Sequence, residues 1–140
     1  MSKYKFGKSS LSRLNTCHPD LIALCEYVLE LGLFDYGITE GHRDEDKQNE
    51  YFNSGASHVK WPESKHNTNP SRAFDFILWL DGKATLEEKD LPSYYMAIGV
   101  FKVIAQNLGI KIKSGGDWDG DWSVTDQKLN DACHIELIGD

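Results

Sequence analysis

Residue types that bind metal ions occur in two segments far apart in the chain, so the fold must bring the two segments together before they can act as one site. His66 and Asp75 lie in the first segment, and Asp131, His134 and Glu136 lie in the second. Asp75 stands within Arg-Ala-Phe-Asp-Phe-Ile-Leu-Trp-Leu, whose composition is that of a buried β-strand. A carboxylate on so apolar a strand is costly to bury unless it is paired or bound to a cation. Two adjacent strands and an adjoining loop could bring the two segments to one point.

The second segment also has the pattern of a strand. His134 and Glu136 alternate with Cys133, Ile135 and Leu137, and side chains on a strand point to opposite faces in turn. If the three apolar residues face the core, the histidine and the glutamate face a cleft or solvent. This pattern alone is weak, because a solvated His-x-Glu pair has the same spacing.

His66, Asp75 and His134 can together hold one zinc ion, since imidazole nitrogens and carboxylate oxygens are common zinc ligands. Three protein ligands leave the fourth position open for water, and zinc lowers the pKa of such a water towards about 7. Asp131 can then accept a proton and pass it to a leaving amine, while Glu136 supports a ligand from behind. The alternatives are a buried salt bridge for Asp75 and a solvated loop position for His66.

Apolar spacing and turn residues predict the secondary structure. We expect helices over residues 19–31, 44–53 and 92–108, and strands over residues 36–43, 72–80, 110–113 and 133–138. Residues 57–71 hold two prolines and two histidines, and we expect a long functional loop there. Helices and strands are mixed without a regular βαβ period. We therefore expect an α+β fold, a mainly antiparallel sheet packed with helices, with a zinc site in a cleft on the sheet.

Length and charge restrict the class of protein. The chain has 140 residues, of which 40% are hydrophobic, and we expect residues 1–140 to form one catalytic domain with a single core. No run of about 18 apolar residues is present, and no apolar stretch follows the basic N-terminus, so we expect neither a membrane span nor a signal peptide. The net charge of −7 argues against nucleic-acid binding. Three cysteines without a CxxC pair indicate reduced thiols and a cytoplasmic origin.

Arg43 and three further histidines are other polar candidates. The guanidinium of Arg43 can hold a carboxylate or polarise a scissile carbonyl, although an ordinary surface arginine after a strand is the alternative. His18, His42 and His58 lack partners at suitable spacing, and we regard them as background.

The segment Asp-Trp-Asp-Gly-Asp-Trp, residues 117–122, clusters three carboxylates that can attract a calcium ion. It departs from an EF-hand loop, because Gly120 is at the fourth position and Lys128 stands where the bidentate glutamate belongs. We therefore favour a cleft-lining loop, with calcium as the alternative. Trp118 and Trp122 are either core anchors or platforms for a sugar or peptide.

Several of these motifs resemble one known family. Ser64-x-His66, the PSRAFD that ends in Asp75, and Asp131-x-x-His134-x-Glu-Leu resemble the zinc peptidases that include bacterial D-alanyl-D-alanine carboxypeptidases and phage L-alanyl-D-glutamate endopeptidases. Gly-His-Arg at 41–43, QNEYFNSGAS at 48–57 and Gly-Gly-Asp-Trp at 115–118 are also similar, and the likeness covers residues 38–137.

The resemblance implies roles for named residues. His66, Asp75 and His134 would be the zinc ligands, Asp131 the catalytic base, and Arg43 the residue that orients substrate and stabilises the oxyanion. The candidates for supporting these ligands or touching substrate are Ser64, Glu136, Gln48 and Trp118.

Asp131 indicates the phage endopeptidase branch, because exopeptidase members usually have glutamate at that place. Two departures are a gap from His66 to Asp75 that is two residues longer than the commonest spacing, and Ser71 where glycine is usual.

The resemblance thus implies a zinc-dependent phage endolysin that hydrolyses the L-Ala–D-Glu bond of the peptidoglycan stem peptide and leads to host lysis. We expect a monomer without stable membrane association, held in the host cytoplasm until a separate pore-forming protein releases it. The alternatives are a D-Ala–D-Ala carboxypeptidase or dipeptidase, and a non-catalytic binding protein with structural zinc.

Overall fold

The chain folds into an antiparallel sheet packed with helices, as expected from the sequence. The computed structural model describes residues 3–124 and 131–139. Within these ranges the strands are β1 (Asp35–Glu40), β2 (Ala73–Leu80), β3 (Lys83–Thr85), β4 (Ile112–Gly115) and β5 (Asp131–Leu137). The helices are α1 (Lys8–Leu14), α2 (Pro19–Glu30), α3 (Glu45–Ser54) and α4 (Leu91–Leu108), with 3-10 turns at Lys65–Asn67 and Glu88–Asp90. The predicted α+β class is confirmed.

The order of the strands brings the two distant segments together. The sheet runs β1-β2-β5-β4, and β3 pairs with the far end of β2 through a hairpin that turns at residues 81–82. All of these pairings are antiparallel. Because β2 and β5 are neighbours, Asp75 lies directly opposite His134 in the ladder.

The core lies on the face of the sheet opposite Asp75. Phe74, Phe76 and Leu78 of β2 are buried there, as their alternation with Asp75 predicts. From α4, Phe101 packs against the rings of Phe74 and Phe76, with centroids at 5.7 and 5.2 Å. The apolar stripe of α2 covers the same core. With one face covered by helices, the polar site occupies the other.

Helix α3 is capped at both ends by residues suited to the task. The Asp44 carboxylate accepts a hydrogen bond from the backbone N–H of Lys47 at 2.9 Å, which satisfies a free donor of the first turn. Gly55 ends the helix with a φ of 84°, a left-handed conformation that favours glycine.

Strand boundaries differ from the sequence expectations by up to three residues. β1 ends at Glu40, where the ladder with β2 is irregular, rather than at residue 43. The chain then passes beneath α1 at Gly41, where a β-carbon would lie 2.3 Å from the carbonyl oxygen of Arg13. β4 begins at Ile112 and β5 begins at Asp131, because pairing partners rather than local apolar content set these ends.

Helix α1 was not predicted. Its sequence, Lys-Ser-Ser-Leu-Ser-Arg-Leu, follows a glycine that makes no side-chain cap. Arg13 donates a hydrogen bond to the carbonyl of Ile38 at 3.0 Å, and the Ser10 hydroxyl accepts one from the N–H of Ile38 at 3.0 Å. The helix therefore covers the open edge of β1 and satisfies its backbone groups.

No helix in the described part of the chain combines the length and apolar character that a membrane span requires.

Candidate metal centre and active site

Two histidine rings converge on a single oxygen of Asp75. His66 Nε2 lies 3.3 Å from Asp75 Oδ1, and His134 Nδ1 lies 3.1 Å from the same atom. Ligands at 2.0–2.1 Å from a tetrahedral zinc ion are separated from one another by roughly 3.3 Å. Both distances are compatible with a metal ion such as zinc, and the structure brings together the three residues that the sequence analysis expected to bind it.

Local structure holds His66 in place. The Ser64 hydroxyl accepts a hydrogen bond from the His66 N–H at 3.2 Å, and the Asn67 side chain accepts one from the Ser64 N–H at 3.1 Å. This reciprocal cap forms the 3-10 turn that presents the ring of His66, which is only 2% exposed. Ser64 thus supports His66 by shaping its turn, and it also lines the cleft.

Hydrogen bonds on the far side of each imidazole orient the nitrogen that faces Asp75. His66 Nδ1 donates to the carbonyl of Gly41 at 2.8 Å, and His134 Nε2 donates to Glu136 Oε1 at 2.9 Å. Each contact leaves the other ring nitrogen directed at Asp75. Metal-binding histidines are commonly held in this way, so Glu136 occupies the supporting position expected of it.

The charges of the cluster fit a bound cation. Burial lowers the pKa of His134, but hydrogen bonds to Asp75 and Glu136 outweigh burial and raise it to about 9. Burial raises the pKa of Asp75, whereas hydrogen bonds from His134 and His66 bring it well below its ordinary value. In the metal-free protein, a proton on His134 thus balances the carboxylates, and metal binding must displace that proton.

Asp131 opens into the same cleft as His134, although residues three apart on a regular strand point to opposite faces. The cause is an irregular ladder: Ser114 pairs with Ile135, but the next residue, Gly115, pairs with Asp131. Residues 132–134 of β5 therefore form a bulge between the two residues of β5 that pair with Ser114 and Gly115 of β4. Such bulges redirect side chains next to active sites.

Cys133 contacts the same carboxylate. Its Sγ lies 3.3 Å from Asp131 Oδ1. Burial, together with the nearby charges of Asp75 and Asp131, raises the pKa of the Cys133 thiol well above its ordinary range. The thiol is therefore a hydrogen-bond donor to the carboxylate.

Arg43 is a buried cation in the cleft wall, not a surface arginine. Its side chain donates from Nε to Glu40 Oε1 at 2.5 Å and from Nη1 to Gln48 Oε1 at 2.9 Å. Nη2 lies 4.0 Å from Asp75 Oδ2, and the guanidinium lies 4.6 Å from the centre of the Tyr51 ring. Since Nε and Nη1 already have partners, Nη2 is the nitrogen placed to meet a substrate oxygen.

Gln48 is fully buried behind this wall. Its Oε1 accepts hydrogen bonds from Arg43 and Asn67, and its Nε2 donates to the Ser57 hydroxyl at 2.9 Å and the Val59 carbonyl at 2.7 Å. The amide thereby connects the arginine, the His66 turn and the cleft loop. Its position suits support of these elements rather than contact with substrate.

The cleft has a volume of about 480 Å³ and extends from His66, Asp75 and His134 past Trp118. The Trp118 ring packs against the ring of His134, with centroids 5.4 Å apart and planes inclined by 39°. Trp118 is thus part of the cleft wall, while Trp122 is 67% exposed.

Carboxylate oxygens of Asp117, Asp119 and Asp121 also lie within 4.8 Å of one another. Asp117 already has a cationic partner, because its Oδ2 accepts from Lys102 Nζ at 2.5 Å. Burial raises the pKa of Asp117, but the contact with Lys102 and the hydrogen bond from the Trp122 N–H together outweigh burial and lower it. Calcium stays the alternative at this loop, and Lys128 lies outside the described residues.

Some site residues were not anticipated from the sequence. Glu40 and Tyr51 hold Arg43, and His58 lines the cleft. The spacing of Gln48 and Tyr51, three apart on α3, is a signal that they share a helix face. His18 instead caps α2, accepting from the Asp20 N–H at 3.0 Å.

A buried cluster of two histidines and an aspartate, open to a cleft beside a further carboxylate, is the arrangement of a metal-dependent hydrolase. The family model described as phage L-alanyl-D-glutamate peptidase matches residues 1–138. The L-alanyl-D-glutamate peptidase of Escherichia phage T5 is 32% identical over 139 residues, which cover 96% of this chain and 98% of that protein. The chain belongs to the phage L-alanyl-D-glutamate peptidase family, and the family resemblance seen in its motifs is confirmed.

A solved structure has the same fold. The crystal structure of Serratia marcescens L-Ala D-Glu endopeptidase ChiX superposes with a TM-score of 0.76, and the match covers 96% of this chain and 91% of that chain. At 24% identity, this likeness concerns the fold.

Proposed function

We propose that this protein is a zinc-dependent peptidoglycan peptidase of the phage endolysin type, which hydrolyses the L-Ala–D-Glu bond of the stem peptide. The convergence of His66 and His134 on one oxygen of Asp75, in the cleft that also holds Asp131, carries the proposal. Membership of the family supports the choice of bond, since the phage T5 relative is named as an L-alanyl-D-glutamate peptidase.

His66 Nε2, Asp75 Oδ1 and His134 Nδ1 would hold the zinc ion. Zinc bound there would supply Lewis acidity to the scissile carbonyl and make an attacking water more acidic. Glu136 and the carbonyl of Gly41 accept the N–H on the far side of each ring, so that in the neutral imidazole the nitrogen nearer Asp75 is the one available to the metal.

Asp131 is proposed as the general base. It faces the cleft beside the ligands, takes a proton from the attacking water and returns it to the leaving amine nitrogen. Arg43 presents Nη2 to the cleft, where its positive charge would stabilise the developing oxyanion or hold a substrate carboxylate. The proposed role of Trp118 is to form a wall for the peptide while keeping the ring of His134 in place.

The proposed setting is lysis of the host cell at the end of infection. Residues 1–140 would act as one catalytic domain and as a monomer, with the peptidoglycan stem peptide as the partner. A separate pore-forming protein would release the enzyme from the host cytoplasm to the wall. A nucleic-acid partner and a stable membrane association form no part of this proposal.

Digestion of purified cell walls, with zinc measured on the same sample, tests the proposal. Mass spectrometry of the released muropeptides is expected to show fragments that begin at D-Glu. Release of terminal D-Ala alone would replace the endopeptidase by a carboxypeptidase. Full activity in excess chelator would show that the reaction does not need a metal ion.

Calcium is tested separately at the loop that contains Asp117. Titration of calcium into the zinc-loaded protein, followed by thermal unfolding, is expected to raise the melting temperature if the three carboxylates bind the ion. An unchanged melting temperature at millimolar calcium would leave this loop as a cleft wall only.

A further inference from the structure

Asp131 reaches the cleft through an unusual strand geometry that two other residues make possible. β5 is held in register on one side, where His134 pairs with Asp75 of β2. On its other side the ladder with β4 skips residues 132–134, and Asp131 pairs with Gly115. A displacement at this junction therefore falls on Asp131 rather than on the metal ligand.

Gly115 touches Asp131 more closely than any side chain permits. A β-carbon on Gly115 would lie 2.1 Å from the carbonyl oxygen of Asp131 and 2.8 Å from its Cβ. These are backbone and near-backbone atoms, which cannot rotate away as the tip of a long side chain can. Even a methyl group at position 115 must push the Asp131 backbone away from β4.

Cys133 contacts the other end of the same residue. Its Sγ lies 3.3 Å from Asp131 Oδ1, and the thiol donates a hydrogen bond to that oxygen. Gly115 thus determines where the backbone of Asp131 lies, while Cys133 restricts the rotation of its carboxylate.

We propose that Gly115 and Cys133 are positioning residues for Asp131, which together hold the carboxylate at the place where it can act as the base. The inference rests on the proposed function, in which Asp131 takes the proton. Neither residue contacts substrate in this proposal; both act through Asp131.

Gly115→Ala tests whether the close contact between Gly115 and the Asp131 backbone positions the carboxylate, and Gly116→Ala is its matched control. A β-carbon on Gly116 would meet Ile98 Cδ1 at 2.8 Å, the flexible end of a side chain, so that contact can relax. We expect Gly115→Ala to lower kcat about 100-fold, the loss typical of a displacement near 1 Å in a reacting group, with KM changed less than about twofold. Zinc content should stay at the wild-type level, and Gly116→Ala should keep wild-type kcat.

Cys133→Ala and Cys133→Ser test the hydrogen bond without adding any atom to the site. We expect the alanine variant to lose about tenfold in kcat, because one hydrogen bond to a charged group is removed. The serine variant keeps a donor and should recover most of that loss. This pair decides the proposal if Gly115→Ala does not fold.

The outcomes separate this inference from the proposed function. If the wild type cleaves muropeptides while Gly115→Ala matches Gly116→Ala in kcat, or both Cys133 variants match the wild type, positioning by that residue is wrong. If the wild type cleaves nothing, the proposed function fails, and crystal structures of the two glycine variants decide the inference instead. Movement of the Asp131 carboxylate relative to His134 in Gly115→Ala alone would uphold it, and an unmoved carboxylate would overturn it.

Discussion

Asp75 serves both the sheet and the site. Its backbone pairs with Glu40 on one side and His134 on the other, at the middle of the sheet. Its carboxylate lies between two imidazoles and 4.0 Å from Nη2 of Arg43. Burial of an unpaired carboxylate would be costly, so these partners explain how a strand as apolar as β2 tolerates the charge.

Replacement of Asp131 should separate catalysis from metal binding. We expect Asp131→Asn, which keeps the shape but cannot accept the proton, to lower kcat by about 10²–10⁴-fold. Zinc content should be unchanged, because the donor cluster consists of His66, Asp75 and His134. Kinetics on purified muropeptides with metal analysis of the same sample measure both. Turnover retained in Asp131→Asn would show that Asp131 is not the base.

Glu136 should matter for metal affinity. Removing the acceptor in Glu136→Ala leaves His134 Nε2–H without its 2.9 Å partner, and we expect zinc affinity to fall by about 10–100-fold. Glu136→Gln keeps an acceptor oxygen and should lose less. Competition with a chelator of known affinity measures the difference. Equal affinities in all three proteins would assign Glu136 to another role.

At the scale of elements, β5 has different registers with its two neighbours. Its pairing with β2 places His134 against Asp75, whereas its irregular pairing with β4 redirects Asp131. Two further elements complete the site. The turn at Lys65–Asn67 carries His66, and helix α3 carries Gln48, which accepts a hydrogen bond from Arg43. The geometry of the site therefore depends on the helices that pack against the opposite face of the sheet.

Helix α4 supplies much of that support through one ring. Phe101 is fully buried among the rings of Phe74, Phe76 and Tyr36, so Phe101→Ala should lower the free energy of unfolding by about 3–5 kcal/mol. Met96 on the same helix is 71% exposed, and Met96→Ala should stay within about 0.5 kcal/mol of the wild type. Urea denaturation compares the two variants. A similar small effect at both positions would contradict this account of the core.

At the scale of the whole molecule, protons and metal compete for the same cluster. The pKa of His134 is raised from 6.5 to about 9, so the stability contributed by its protonated form is complete below about pH 6.5 and is lost as the pH rises through 9. Asp75 and Glu136 have lowered pKa values, so their contributions are present above their ordinary pKa values and are lost in acid.

The metal-free protein should therefore lose stability between about pH 6.5 and pH 9. Zinc needs neutral imidazoles, so its binding strengthens over the same range, and the zinc-loaded protein should not show that loss. Chemical denaturation of both forms from pH 5.5 to 9.5, at constant ionic strength, measures the difference between their free energies of unfolding, which should widen as the pH rises. A difference that narrows with pH would contradict the charge assigned to His134.

Much of the fold could be predicted because helical and strand periodicities are local. Helices α2, α3 and α4 appear within a residue or two of their expected bounds, and the alternation around Asp75 and His134 correctly separated the core face from the cleft face. The residue types in the metal cluster were also readable, since an aspartate within so apolar a strand requires a charged partner.

Other features depend on partners that are distant in the chain. The sequence by itself determined the elements and the residue types of the cluster, because both follow from neighbouring residues. Only the tertiary structure decided that α1 covers β1, that Glu40 and Gln48 bury Arg43, and that Asp131 turns into the cleft. The physical reason is that strand register, burial and close backbone contacts such as that of Gly115 arise between segments, where local periodicity carries no information.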